Sequence, residues 1–253
     1  AYLGQLIAVV VAESFEQARH AAQSLQVTLE NGEVRPVDPA TAAVEPQEGQ
    51  ALDQGDLEGA IQNAAHSVDV VYTTPSHSSS PMEPHASIAF WDGDDLTLHG
   101  SYQMLKYNRN ELADSLGIHP DRVRILSPYV GGGFGSKLGL AQEAVAAAIA
   151  AKELGRPVSV ALQRQQVFEA TMRRSETCQR IRLAADAEGR LSGLGHDARV
   201  SNLPGETFAE PVLQASHFLY AGENRQMSLE LARLHRLCAG SVRAPGEAVG
   251  VTV

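Results

Sequence analysis

The apolar positions change period several times along the chain, and each change marks an element. Residues 5–12 (QLIAVVVA) form a continuous apolar run of strand length, and VTLE at 27–30 is a second. Between them FEQARHAAQSLQ places apolar residues at helical spacing, with Ser14 and Gln17 set as a capping box. The pattern predicts a β-α-β unit over 1–31, the end of a small α+β domain. Residues 31–55 carry three prolines and several acids but no core pattern, which predicts a connection across the surface. Asp56 is placed to cap a short helix (LEGAIQNAAH), so 32–66 reads as linker and helix.

From residue 67 the pattern becomes that of a larger mixed-sheet domain running to 253. SVDVVYTT alternates as a half-buried strand, and SIAFW and LTLHG are two strands joined by the turn DGDD. KYNRNELADSLG predicts a helix ending at Gly117, RVRILSP a strand, LAQEAVAAAIAAKELG a helix of small residues suited to close packing, and PVSVALQ another strand. IRLAADAEGRLSGLGHDARVS predicts a hairpin turning at Glu188-Gly189. The fold class expected is α+β.

Charge narrows the function. The formal charge is −10, with 30 acidic against 20 basic residues, which disfavours nucleic acid as a partner, since phosphate binding is driven by Lys and Arg. Cys178 and Cys238 show neither CxxC nor another metal-ligand spacing, so no iron–sulfur cluster is expected within this chain. No apolar run reaches bilayer length. The chain opens on a strand-like run and stops at GVTV, so both ends read as cut from a longer polypeptide; cytoplasm and periplasm both stay open.

The stretch SPYVGGGFGSKLGL (127–140) is the most unusual. Counted from Gly131, a phosphate-binding P-loop needs glycine where Ser136 stands and Ser or Thr where Leu138 stands. The dinucleotide spacing G-x-G-x-x-G fails at the same two residues. A run of backbone N–H groups before a helix start still suits an anion, whereas the bland alternative is a tight strand-to-helix connection.

Several strings occur in a telling order: PMEPHASIAFW (81–91), SYQMLKYNRNELADSLGI (101–118), RVRILSPYVGGGFGSK (122–137), SNLPGETFAEP (201–211), FLYAGENR (218–225) and VRAPGEAVG (242–250). Together they resemble the molybdenum-cofactor subunit of the xanthine dehydrogenase and aldehyde oxidase family, in particular bacterial periplasmic-type aldehyde oxidoreductases. The start, GQLIAVVVAESFEQARHAA, resembles the end of that family's hammerhead domain.

The resemblance implies a molybdopterin cofactor, in plain or cytosine dinucleotide form, bound by Gln103, Gly132, Gly133, Phe134, Gly135 and Arg243, with no protein side chain on the metal itself. Arg243 would also stabilise charge on the substrate. Gln103 stands in SYQ where the family usually has STQ; without the resemblance it would read as a polar residue before a helix, and Arg243 as a surface arginine. Glu247 would touch the cofactor or cap a helix. Glu83 and His85 invite a metal or acid–base reading, but the eight-residue spacing from His77 fits no ligand pattern, and a turn fixed by Pro81 and Pro84 is preferred. Ser79-Ser80 stand where the family often has His-Asn.

Leu138 follows the lysine where purine-hydroxylating relatives often carry glutamate, which favours aldehydes over xanthine, with N-heterocycles, hydroxylated on the ring, as the alternative substrates. The family's base glutamate has no counterpart in this chain, so the chain alone is expected to be catalytically incomplete. The implied activity is oxidation of an aldehyde to a carboxylic acid with oxygen from water, electrons leaving to iron–sulfur and FAD-bearing partner subunits or domains. Two rival readings are a non-catalytic structural fragment and a non-redox anion-binding module.

Overall fold

The computed structural model describes residues 2–30, 32 and 35–253. The chain divides into two compact units, one made of Ala1–Val34 and Ser78–Met172, the other of Arg35–His77 and Arg173–Val253.

The first unit is built on a four-stranded sheet in the order Val123–Leu126, Asp95–Gly100, Ala86–Asp92, Val158–Ala161. The first two strands run parallel and the others antiparallel. Helices Leu105–Leu116 and Gln142–Leu154 supply the rest of the core, in which Leu96, Leu98, Leu112, Ala144, Ala147, Ala148 and Val158 are buried. The alanine-rich helix packs as its small residues predict, close enough for the Trp91 indole N–H to donate to the Ala148 carbonyl at 2.9 Å. Alternation along Ala86–Asp92 buries Ser87 and Ala89 and leaves Ile88 and Phe90 exposed.

The N-terminal segment departs from expectation. Helix Phe15–Ser24 forms with Ser14 as its N-cap, accepting from the Gln17 N–H, yet it buries no residue. Residues 5–12 and 27–30 are not strands. A strand exists through its ladder, and no described strand pairs with either run, so Leu6, Ile7 and Val9 stay exposed. The segment is tied down by Gln142 instead, whose Oε1 accepts the Leu6 N–H at 2.6 Å and whose Nε2 donates to the Gly4 carbonyl at 3.3 Å.

The second unit is a six-stranded sheet ordered Val44–Pro46, Asn224–Arg233, Leu191–Asn202, Thr177–Ala185, His66–Thr74, with Leu52–Gln54 also on Asn224–Arg233. Leu191–Asn202 and Asn224–Arg233 run parallel and the other pairs antiparallel. The hairpin expected around Glu188-Gly189 is present, as is the helix capped by Asp56, Leu57–Gln62. Of the expected connection, Asn31, Glu33 and Val34 lie outside the described residues; its later part is mostly exposed but contributes two short strands. Val200, Val212, Leu213, Leu229, Leu231 and Val249 form the core. Sheets of mixed direction with helices fulfil the α+β expectation.

Leu98 lies fully buried in a central strand, whereas Ile88 lies on the exposed face of the neighbouring strand. Leu98→Ala is expected to destabilise the protein by about 2–5 kcal/mol, and Ile88→Ala by no more than roughly 0.5 kcal/mol, both read by chemical denaturation.

Candidate functional site

The glycine-rich loop links strand Val123–Leu126 to helix Gln142–Leu154, and two other segments of the first unit hold it. One is Ser79–His85. The Ser79 hydroxyl donates to the Phe134 carbonyl at 3.3 Å, the Gly131 N–H donates to Glu83 Oε2 at 2.8 Å, and His85 Nε2 lies 3.0 Å from the Ser136 carbonyl. The other is Ser101–Gln103. Gln103 Oε1 accepts the Gly135 and Lys137 N–H groups at 3.1 and 3.2 Å, and the Gln103 N–H donates to the Lys137 carbonyl at 2.9 Å.

Lys137 joins the two. Its side chain is fully buried, and Nζ reaches Glu83 Oε2 at 2.6 Å, the Glu83 carbonyl at 3.2 Å and the Ser101 hydroxyl at 3.1 Å. Partial burial pushes the Glu83 carboxyl up, but hydrogen bonds from Lys137, Ser101 and Gly131 outweigh that and hold it at about 2.

This geometry explains the residue types. A Cβ on Gly133 would lie 2.3 Å from Gln103 Oε1, and one on Gly131 would lie 2.5 Å from the Glu83 Cβ. Those glycines are required because side chains press on the loop from within the protein. Phe134 sits at φ 51, a left-handed conformation rare for an aromatic residue, and its ring is about half exposed.

The loop's own N–H groups divide. Those of Gly131, Gly135, Ser136, Lys137 and Leu138 have partners inside the protein, whereas those of Gly132, Gly133 and Phe134 have none among the described residues. Helix Gln142–Leu154 begins beyond the loop, and Glu111 Oε2 already takes the Leu140 N–H just before it at 2.8 Å. Beside these free N–H groups the Gln103 amide nitrogen is also uncommitted. With Oε1 turned into the loop, the Nε2 hydrogens have no partner among the described residues, and the side chain is exposed.

Glu83 proves to be an ion-pair partner rather than only part of a turn. His85 is buried, and burial pushes its imidazole down, so it serves as a neutral brace. His77 falls in the second unit. Among the described residues, no three His, Cys, Asp or Glu side chains are grouped to hold a metal ion. Surface clefts of about 470 and 480 Å³ lie beside Trp91 and Lys152 and beside Glu111 and Gln142, and neither is lined by residues 131–137.

Arg243 belongs to the second unit and does not share the loop's framework. Its side chain is exposed and makes no hydrogen bond or ion pair among the described residues. Glu247 is the first residue of the short helix Glu247–Gly250, where its charge suits the helix dipole.

Glu143 escaped sequence reasoning. It is 3% exposed, Oε1 accepts from the Ser87 hydroxyl at 3.1 Å, and Oε2 has no partner. Burial pushes it up to about 6. Ser87 in turn lies 2.5 Å from the Tyr102 hydroxyl, so this network stands behind the residue preceding Gln103. A glutamate inside an alanine-rich helix is the signal that could have marked it.

Residues 41–253 match the family model described as molybdopterin cofactor-binding domain. The chain is 44% identical over 250 residues to the aldehyde oxidoreductase molybdenum-binding subunit PaoC of Escherichia coli (strain K12), covering 98% of the chain and 34% of that subunit. It is 32% identical to the nicotine 6-hydroxylase large subunit of Paenarthrobacter nicotinovorans, covering 82% of the chain and 28% of that subunit. The chain thus spans about a third of the length of the curated relatives it matches, and both are named as subunits. Among solved structures, the quinoline 2-oxidoreductase of Pseudomonas putida 86 superposes with a TM-score of 0.84 at 24% identity, over 97% of this chain and 34% of that one. The aldehyde oxidoreductase of Desulfovibrio gigas gives 0.80 at 23% identity, over 93% and 28%; these two show the fold.

Glu83→Gln is expected to lower stability at pH 7 by roughly 1–3 kcal/mol, because buried Lys137 loses its anion while the carboxylate's exposed side limits the effect. The carboxyl is depressed in the fold, so its contribution is present above its ordinary value of 4.5 and disappears as pH falls toward about 2. Unfolding curves of the two proteins should converge across that window; a gap that persists at pH 2 would contradict the pairing.

Proposed function

The chain belongs to the molybdopterin cofactor-binding domain family, and we propose that it forms part of a molybdenum hydroxylase large subunit oxidising aldehydes to carboxylic acids. The observation that carries this reading is the Gln103 amide, locked by its own oxygen so that only N–H donors remain free. A group presenting an oxygen acceptor fits that arrangement. The glycine backbone and the half-exposed Phe134 ring suit close approach by a bulky cofactor.

When bound, the cofactor supplies two-electron redox chemistry at molybdenum with water as the oxygen source. The residues of the chain bind and orient. Gln103 donates to an oxygen on the group, and Gly132, Gly133 and Gly135 let backbone lie against it while Phe134 covers one side. Arg243, with no partner to give up, meets negative charge on a substrate oxygen. The Leu138 side chain offers no hydrogen bond to a purine, which supports aldehydes over xanthine. The proton-accepting base is assigned to a glutamate outside this chain, and electrons leave through iron–sulfur and flavin partners.

Gln103→Glu keeps an oxygen for the Gly135 and Lys137 N–H groups and removes the free donors. In the full-length protein it is expected to retain the fold and lower aldehyde turnover roughly a hundredfold. Elemental analysis and pterin fluorescence of the parent are the companion measurement. A well-folded parent without molybdenum, or Gln103→Glu at full activity, would overturn this reading. Strong xanthine turnover would overturn the aldehyde preference alone.

A further inference from the structure

Arg243 stands in a turn whose shape is costly. Ala244 has φ 55 and Gly246 φ 80, both left-handed, and a Cβ on Gly246 would lie 2.3 Å from the Pro211 carbonyl oxygen. Such a turn persists only if its surroundings fix it, and one buried guanidinium does most of that fixing. Arg174 is 4% exposed. Its Nη2 donates to the carbonyls of Val242, at 3.1 Å, and Arg243, and its Nη1 donates to the Ala244 carbonyl at 3.3 Å. Three consecutive carbonyls are thus gathered by one planar fork, which an ammonium could not match.

Nη1 also pairs with Glu210 Oε1, and the same oxygen accepts the Gly246 N–H at 2.7 Å. Glu210 is 1% exposed, and its other oxygen has no partner, so the carboxylate serves only this turn. Arg174 is itself placed by its neighbour: the Arg173 N–H donates to the Cys238 carbonyl, and the Arg173 carbonyl accepts from Gly240.

We propose that Arg174 and Glu210 are positioning residues that hold Arg243 by its own backbone, fixing where its free guanidinium stands. The pair takes the turn's carbonyls and N–H and leaves the Arg243 side chain with nothing to do but meet a ligand. The functional part rests on the substrate role of Arg243 given above; the clamp itself does not.

The test uses the full-length protein, loaded with molybdenum as checked by elemental analysis. Arg174→Met strands a buried carboxylate and risks misfolding, so Arg174→Met/Glu210→Gln is made beside it, removing both charges and keeping an acceptor for Gly246. Amide hydrogen exchange at Arg243–Gly250 should accelerate in both variants, with exchange in Leu194–Val200 unchanged. Aldehyde kcat/KM should fall roughly ten- to a hundredfold, and the loss should vanish when Arg243 is already alanine. Unchanged exchange at Gly246 overturns the clamp whatever Arg243 does. Equal losses with and without Arg243 overturn the positioning role and leave a merely structural one. Faster exchange with a silent Arg243→Ala ends the substrate role of Arg243 while the clamp stands.

Discussion

Lys137 is turned inward with its ammonium 2.6 Å from Glu83, and the course of the glycine-rich loop follows from keeping it there. A buried cation without a counter-charge would cost several kcal/mol. The chain answers by bringing the Ser79–His85 and Ser101–Gln103 segments to the loop from two sides. Once both are in place, five of their side chains take up the loop's polar groups. Glu83 takes the ammonium and a backbone N–H, Ser101 the ammonium, Gln103 two more N–H groups, and His85 and Ser79 the carbonyls. The glycines then follow as a consequence, since side chains pressed this closely leave no room for Cβ atoms.

The glycine-rich loop and the Arg243 turn solve the same problem separately. In each, backbone polar groups are met by side chains from elsewhere in the same unit, and exposed N–H donors are left free: the Gln103 amide in the first, the Arg243 guanidinium in the second. A rigid backbone with a free functional group lets a site bind without first ordering itself, which is where much binding energy is otherwise lost. The buried polar groups are thus part of the fold and leave the chemistry to side-chain donors they do not bind.

Much of this was legible in sequence, for physical reasons that differ by element. Helix Leu105–Leu116, strands Ala86–Asp92 and Asp95–Gly100 and the hairpin at Glu188-Gly189 follow from local period and turn chemistry, which one segment carries by itself. QLIAVVVA reads as a strand on the same grounds and is not one, because a ladder needs a second segment and none among the described residues supplies it. GGGFGSK stood out as unusual, and the order of motifs pointed to the family. The reason for its glycines was hidden, since Glu83 and Gln103 lie far from it in sequence. Arg174 and Glu210 left no local signal at all: an arginine before a strand and a glutamate before a proline look alike whether buried or solvated. Glu143 left only the oddity of its surroundings.

Among the described residues, the strand His66–Thr74 ends its sheet and pairs only with Thr177–Ala185. On a ribosome, therefore, it emerges about a hundred residues before its partner. At ordinary rates of synthesis the gap is roughly 5–20 s, during which a strand carrying Val68, Val71 and Tyr72, all exposed even in the folded protein, has both edges open. All of Ser78–Met172 is made in that interval. The birth of this chain thus contains a built-in waiting period, and crowding of nascent copies on one message is the circumstance that would punish it.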